Sequence, residues 1–217
     1  MILKILKKLK TIIFFENLHR FKKKIFNIKR LQVSDKIDFG SKIANIFFEK
    51  NLKNSKFYYE FGSGSSTLKA NKFKKKYISI ELDKLFFDLI KKKLNNNMTK
   101  YIDVGPVGEF SYPLIKNKKK ILNYINSINR YLEGKDYPDF ILIDGRFRVA
   151  CCLNLLRYLN KNTSNIIILV DDFRKRHHYK ILYQYFDIKL IGRMGLLKSP
   201  KQKFNMKVFD KYLFDSR

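Results

Sequence analysis

A chain of 217 residues with 45% hydrophobic and 15% aromatic residues can bury one substantial core and is too short for two large domains. Its two cysteines are adjacent, Cys151 and Cys152, which excludes a disulfide framework and a four-thiolate zinc site and fits a reducing, cytoplasmic compartment. The formal charge of +28 invites a polyanionic partner, while no apolar run approaches the ~20 residues of a membrane-spanning helix, which excludes an integral membrane protein.

Residues 1–30 carry ten basic residues and one acidic residue, with Ile2, Ile5, Leu6, Leu9, Ile12 and Ile13 at helical intervals between lysines. The pattern predicts a basic amphipathic segment over 1–33; an uninterrupted apolar core and a small-residue cleavage site, the marks of a secretory signal, are missing. Two uses fit it: a peripheral contact with anionic lipid on the inner face of the membrane, or packing on the domain or a second subunit. From Ser34, an N-cap candidate, Ile37, Ile43, Ile46 and Phe47 predict a helix running to about Leu52. Strands and helices then alternate. Phe57–Phe61 (FYYEF) reads as a strand, followed by GSGSST and a helix over 67–76. Tyr77–Leu82 (YISIEL) is a second strand with a helix over 84–94, and Tyr101–Val104 a third. A Gly- and Pro-containing loop precedes a helix over 119–132. Phe140–Asp144 (FILID) and Ile166–Asp171 (IIILVD) are apolar strands on either side of a helix over 149–159. Continuous apolar runs of this kind suit strands buried on both faces, so the order predicts an open, doubly wound, mostly parallel α/β sheet. Ile188–Leu197 and Lys207–Phe214 are expected to pair as a terminal hairpin.

Ligands of such sheets bind at the carboxyl ends of the strands. There the first strand ends in Glu60-Phe61-Gly62-Ser63-Gly64-Ser65-Ser66-Thr67. Gly62 and Gly64 allow a sharp turn and close approach of a ligand to the backbone, and the next helix presents free N–H groups. Glu60 stands where its carboxylate can meet the cationic amino-acid end of S-adenosylmethionine and would repel a pyrophosphate. Thr67 holds the place of the third glycine of the dinucleotide fingerprint, which also weighs against NAD. Glu81 ends the second strand 19 residues after Gly62, where an acidic side chain takes up ribose hydroxyls.

YEFGSGSST and YISIELD resemble the first motif and acidic second strand of the class I S-adenosylmethionine-dependent methyltransferases, over about residues 34–172. The resemblance implies a Rossmann-like domain over 34–217 with a seven-stranded sheet and an antiparallel last strand. It implies S-adenosylmethionine as cofactor, held by Glu60, Gly62, Ser63, Gly64, Ser65 and Glu81, with Asp103 bordering the adenine. Asp144, Asp171 and Asp172 end the next two strands, and 27 residues separate Asp144 from Asp171. Gathered on one rim they would repel unless protonated or bridged, and hard oxygen ligands suit Mg²⁺. This looks like the metal-dependent sugar and macrolide O-methyltransferases, in which such a set holds the ion. Those enzymes carry a further acid just after the first ligand, where this chain has Arg146. Arg146 and Arg148 are instead candidates to clamp an anionic group of the acceptor, or to pair with the same aspartates. Asp144 and His178 are the catalytic candidates, the latter as a neutral base for the acceptor's proton. Cys151 and Cys152 read as packed core.

The expected activity is transfer of a methyl group to a small-molecule or glycan hydroxyl by direct displacement. Acceptor choice is expected to reside in residues 105–120, the N-terminal segment and the loop 174–179. A different class of reading is a non-catalytic Rossmann-like module that binds nucleic acid or anionic membrane through its basic surface. Nucleic acid is not favoured: lysine far outnumbers arginine, the charge is spread over the chain, and no proline-aromatic tetrad for an extruded base is present.

Overall fold

The computed structural model describes residues 10, 11, 13, 14, 33–94, 96–159 and 165–217. The amphipathic reading of residues 1–30 therefore lies outside the described residues, except at Lys10, Thr11, Ile13 and Phe14, which are helical. Among the described residues no helix is long and apolar enough to cross a membrane.

The first helix of the domain starts later than Ser34, whose hydroxyl accepts from the Lys36 N–H in a local turn. Ser41 is the N-cap: its Oγ accepts from the Ala44 N–H at 3.2 Å and opens α1 (Lys42–Asn54). Ala44, Phe48 and Leu52 recur every four residues and make the buried face, which leaves Ile43 and Ile46 exposed. The strands β1 (Phe57–Phe61), β2 (Lys76–Glu81) and β3 (Thr99–Tyr101) alternate with α2 (Ser65–Lys72) and α3 (Lys84–Leu94). Then come α4 (Lys118–Ile125), the single turn α5 (Asn129–Leu132), β4 (Phe140–Ile143), α6 (Arg148–Leu155) and β5 (Ile167–Val170). The seven strands lie in the order β3-β2-β1-β4-β5-β7-β6, where β6 is Phe186–Ile191 and β7 is Met194–Pro200. β1 to β5 run parallel and β7 is antiparallel to β5, so the expected mostly parallel sheet with an antiparallel late strand is the observed one.

The terminal hairpin differs from expectation. Ile188–Leu197 is not one strand: Gly192, at φ +62, and Arg193 form a two-residue turn that pairs Ile191 with Met194. Lys207–Phe214 lies mostly in a helix, α8 (Met206–Tyr212), capped by the Asn205 side chain accepting from the Val208 N–H. A short helix α7 (Leu182–Tyr185) precedes β6.

Every residue of β1 is buried, and alternation sends its side chains to two cores. Phe57, Tyr59 and Phe61 join α4, α6 and α8 on one face, while Tyr58 joins α1, α2 and α3 on the other. Strand order reverses between β1 and β4, and the loops after these two strands meet at that point.

Candidate functional site

The meeting of the two loops depends on a pair of glycines. Gly62 has φ +94, and a Cβ there would lie 2.8 Å from Gly145 N and 2.9 Å from the Asp144 carbonyl. A Cβ on Gly145 would in turn fall 2.1 Å from the Tyr124 hydroxyl. Gly64 differs: its Cβ position has nothing within 4 Å, so the loop is open to close approach there.

Glu60 does not face that opening. Its side chain is fully buried and accepts from the Tyr58 hydroxyl at 2.7 Å, from Ser66 Oγ at 2.5 Å and from Thr67 Oγ1. Burial pushes its carboxyl above the ordinary range, against the pull of these three donors. Glu60 is thus engaged inside the protein, and direct contact with a ligand, one of the two ways in which it is expected to meet one, is closed to it while these bonds hold. Thr67 Oγ1 also accepts from the Gly64 N–H at 2.9 Å, so Glu60, Thr67 and Gly64 form one chain of bonds that sets the loop. The same chain accounts for threonine at the place of a third glycine.

Glu81 is where a ribose-binding carboxylate is expected. Oε2 accepts from the Ser63 N–H at 3.1 Å, and Oε1 from the N–H groups of Leu82 and Asp83 at 2.7 and 2.8 Å. Burial raises its carboxyl while these N–H groups lower it. A further donor comes from far along the chain, the Ser111 hydroxyl at 3.1 Å, a contact that sequence reading missed. Ser63 Oγ is held by Ser79 Oγ at 2.7 Å, and Ser65 is the first residue of α2. Asp103 lies exposed beyond β3, bonded to the Gly105 N–H and to Lys120, whose ammonium holds its carboxyl below the usual value.

Asp144, Asp171 and Asp172 do gather on one rim, but arginines stand among them. Arg148 is buried and donates to the carbonyls of Gly145 at 2.8 Å, Asp171 at 2.6 Å and Asp144 at 3.1 Å. It also pairs with Asp144 Oδ1 at 2.9 Å. Arg193, from the β6–β7 turn, binds both oxygens of Asp171 at 2.8 and 2.7 Å and reaches Asp172 Oδ1 at 3.2 Å. Arg176 takes Asp172 Oδ2 at 2.9 Å. Three guanidinium groups thus balance three carboxylates, and the donor set does not fit a divalent cation. Among the described residues no group of three His, Cys, Asp or Glu side chains is arranged to hold a metal ion. This corrects the expected Mg²⁺ site, and of the two readings of Arg148 the pairing with the aspartates is the one observed, with the side chain a buried strut. Arg193 could not be found from sequence, since only the folded turn brings it to the rim.

Asp144 and Asp172 differ in their protonation. Burial, with Asp171 and Asp172 adding to it against the pull of Arg148, pushes the Asp144 carboxyl up to about 7. For Asp172 burial is outweighed by Arg176, Arg148 and Arg193, and its carboxyl stays below the ordinary value. Asp144 keeps 33% of its side-chain surface exposed, so it combines access with a proton held near neutrality.

Arg146 donates from Nε to the Phe110 carbonyl at 2.7 Å and from a terminal nitrogen to the Ser216 carbonyl at 3.4 Å. It therefore ties together the loop after β3 and the segment after α8. His178 sits on a 3-10 turn (His177–Ile181) beside Asp215 and Arg217. Its Nε2 is buried without a hydrogen-bond partner among the described residues, and burial lowers its pKa, which favours neutral imidazole. No hydrogen bond joins His178 to Asp144. Among the described residues five non-glycine residues have positive φ, and four of them, Phe110, Ser111, Phe147 and Asp172, lie in loops at this end of the sheet. Such strain concentrates at working sites, which favours this edge over an open trough of 1240 Å³ along residues 34–54 that reaches the glycine loop only at Ser65.

No protein-family model matches the chain, and no curated protein matches it. Among solved structures, a methyltransferase-like protein from Silicibacter pomeroyi aligns with a TM-score of 0.69 and 23% sequence identity, covering 85% of this chain and 100% of that one. The fold is that of a methyltransferase-like protein. An SAH-bound methyltransferase from Podospora anserina aligns over 88% of each chain at 14% identity and a TM-score of 0.46, too loosely to bear on the site.

Proposed function

We propose that this chain is an S-adenosylmethionine-dependent methyltransferase that methylates a hydroxyl of a small-molecule or glycan acceptor by direct displacement. The observation that carries this reading is Glu81, a buried carboxylate fixed by three backbone N–H groups beside a glycine loop that is open at Gly64. The Ser111 hydroxyl donates to this carboxylate, which is the chemistry by which a ribose hydroxyl would bind. Glu60 acts through Thr67 and Ser66 to hold the loop. When bound, S-adenosylmethionine supplies an electrophilic methyl group on a sulfonium. Asp144 takes the acceptor's proton in this reading, because a carboxyl pushed up to about 7 can both receive and release one near neutral pH. Its partner Arg148 favours the ionised form that must do the receiving. Neutral His178 is the second candidate for this step. Arg146 would exchange its backbone carbonyl partners for an anionic group on the acceptor. Cytoplasmic placement and contact of residues 1–30 with anionic lipid belong to the same reading.

The test is calorimetric titration with S-adenosylmethionine at physiological salt, with NAD as the control ligand. Saturable binding by the parent is expected, weakened roughly 10- to 100-fold in Glu81→Ala, the loss expected for hydrogen bonds to a charged group. Absence of binding by the parent overturns the reading and favours a non-catalytic module with a polyanion partner.

A further inference from the structure

Beyond β3 the chain builds a small hairpin, residues 104–116, at the mouth of the candidate site. Val107 and Pro113 bridge, the Gly108 N–H donates to the Tyr112 carbonyl at 2.8 Å, and the Leu114 N–H to the Pro106 carbonyl at 2.9 Å. These bonds define its shape. Three apolar side chains at the tip are exposed beside the exposed Glu109: Phe110 is 82% exposed, Tyr112 45% and Leu114 39%. Phe110 also occupies left-handed backbone space, φ 52 and ψ 35, which disfavours a bulky residue. Backbone strain that holds a phenyl ring out in water gains nothing from packing against the described residues. Lysines adjoin it. The segment 104–120 contains four lysines against the single acid Glu109, and Lys116, Lys118 and Lys119 are exposed. Asp210 approaches Lys118 only to 4.0 Å, and among the described residues Lys116 and Lys119 have no carboxylate partner.

We propose that this hairpin docks the protein on an anionic lipid bilayer, with Phe110, Tyr112 and Leu114 entering the interface and Lys116, Lys118 and Lys119 meeting the headgroup charge. Aromatic and leucine side chains partition into that zone, and lysine stems extend along it with their charge in the headgroups. A protruding tip with three apolar side chains lacks the broad surface that a stable protein interface needs, whereas a fluid medium requires only protrusion. Arg146 and Ser111 connect the hairpin to the site, so docking would turn that site towards the bilayer. The proposal does not depend on which cofactor Glu81 takes.

The chain contains no tryptophan, so Phe110→Trp places a single reporter at the tip. Emission of the full-length variant is recorded with phosphatidylcholine vesicles and with phosphatidylcholine–phosphatidylglycerol vesicles at physiological salt. A blue shift with the anionic vesicles alone, quenched by brominated acyl chains, is expected. Phe110→Ser should weaken vesicle co-sedimentation about 10- to 100-fold, the effect of leaving an aromatic ring unburied. Each Lys→Gln change at 116, 118 or 119 should weaken it about five-fold. Vesicle binding without a change in the indole emission places the contact elsewhere, as on residues 1–30, and overturns the proposal. An equal shift on neutral vesicles overturns it too. So does a lipid-free shift that grows with protein concentration, which would identify a second copy as the occupant. Circular dichroism of Phe110→Ser separates lost docking from lost folding.

Discussion

Replacing Arg148 with methionine distinguishes a buried strut from an acceptor clamp. The side chain is 5% exposed, and its loss strips a donor from the carbonyls of Gly145, Asp171 and Asp144 and removes the counter-charge of Asp144. At about 1 kcal/mol for each bond, plus an uncompensated carboxylate, the expected loss is about 3–5 kcal/mol, the range for breaking one side of a buried pair. In a domain of this size that corresponds to a fall in Tm of roughly 6–20 °C. The loss should also depend on pH. Asp144, with its carboxyl raised to about 7, already makes the folded state less stable as pH climbs from the unfolded carboxyl's range to neutrality. Without Arg148 the folded pKa moves higher still. Parent and variant then lose stability in parallel below about pH 7, and above it the parent levels off while the variant continues to fall. Thermal melts followed by circular dichroism at about pH 6 and about pH 8.5 should therefore show a gap that widens at the higher pH. A variant that melts within about 2 °C of the parent at both values, with only acceptor affinity reduced, would refute the strut and restore the clamp.

Gly62→Ala should destabilise the protein by about 2–5 kcal/mol, combining left-handed backbone strain with a clash against the Asp144–Gly145 peptide, and denaturant unfolding measures it. Addition of Mg²⁺ or of a chelator should leave Tm and S-adenosylmethionine affinity unchanged, because arginines already neutralise the rim; metal-dependent stabilisation would contradict that balance. Asp144→Asn should abolish the rising limb of the pH–rate profile near about pH 7 while leaving S-adenosylmethionine binding intact, which single-turnover kinetics and calorimetry can separate. Cys151 and Cys152 are fully buried with thiols pushed up by burial, so alkylation should be negligible until the protein is unfolded.

Much of the sheet was legible because its strands are continuous apolar runs and its glycine loop follows the first of them. The helix over 84–94 was read at its true bounds, since Phe87, Ile90 and Leu94 repeat at helical spacing. The terminal hairpin was misplaced because Gly192 interrupts a run that looks uniform. Val208, Phe209, Tyr212 and Leu213 carry a helical repeat, with Asn205 as its cap. At the site, positions are legible, as is the pairing of Arg148 with the aspartates, while the other partners are not. Glu60 looks like a ligand contact until Tyr58, Ser66 and Thr67 are seen to enclose it. The carboxylate trio looks like a cation site until a turn 22 residues beyond Asp171 delivers Arg193.

The balanced rim has a consequence for how the molecule responds to ionic strength. The chain as a whole carries +28, yet on the rim Arg148, Arg176 and Arg193 are paired with Asp144, Asp171 and Asp172, so the rim adds little to that charge. Attraction of anionic solutes from a distance therefore comes from the scattered surface lysines, whose reach shrinks to about 8 Å at physiological salt. Asp144 is held by direct contact with the buried Arg148 at 2.9 Å, a distance over which salt screens little. Salt should thus slow the arrival of charged partners while barely touching the protonation state of the rim, so capture and chemistry can be tuned apart by one solution variable.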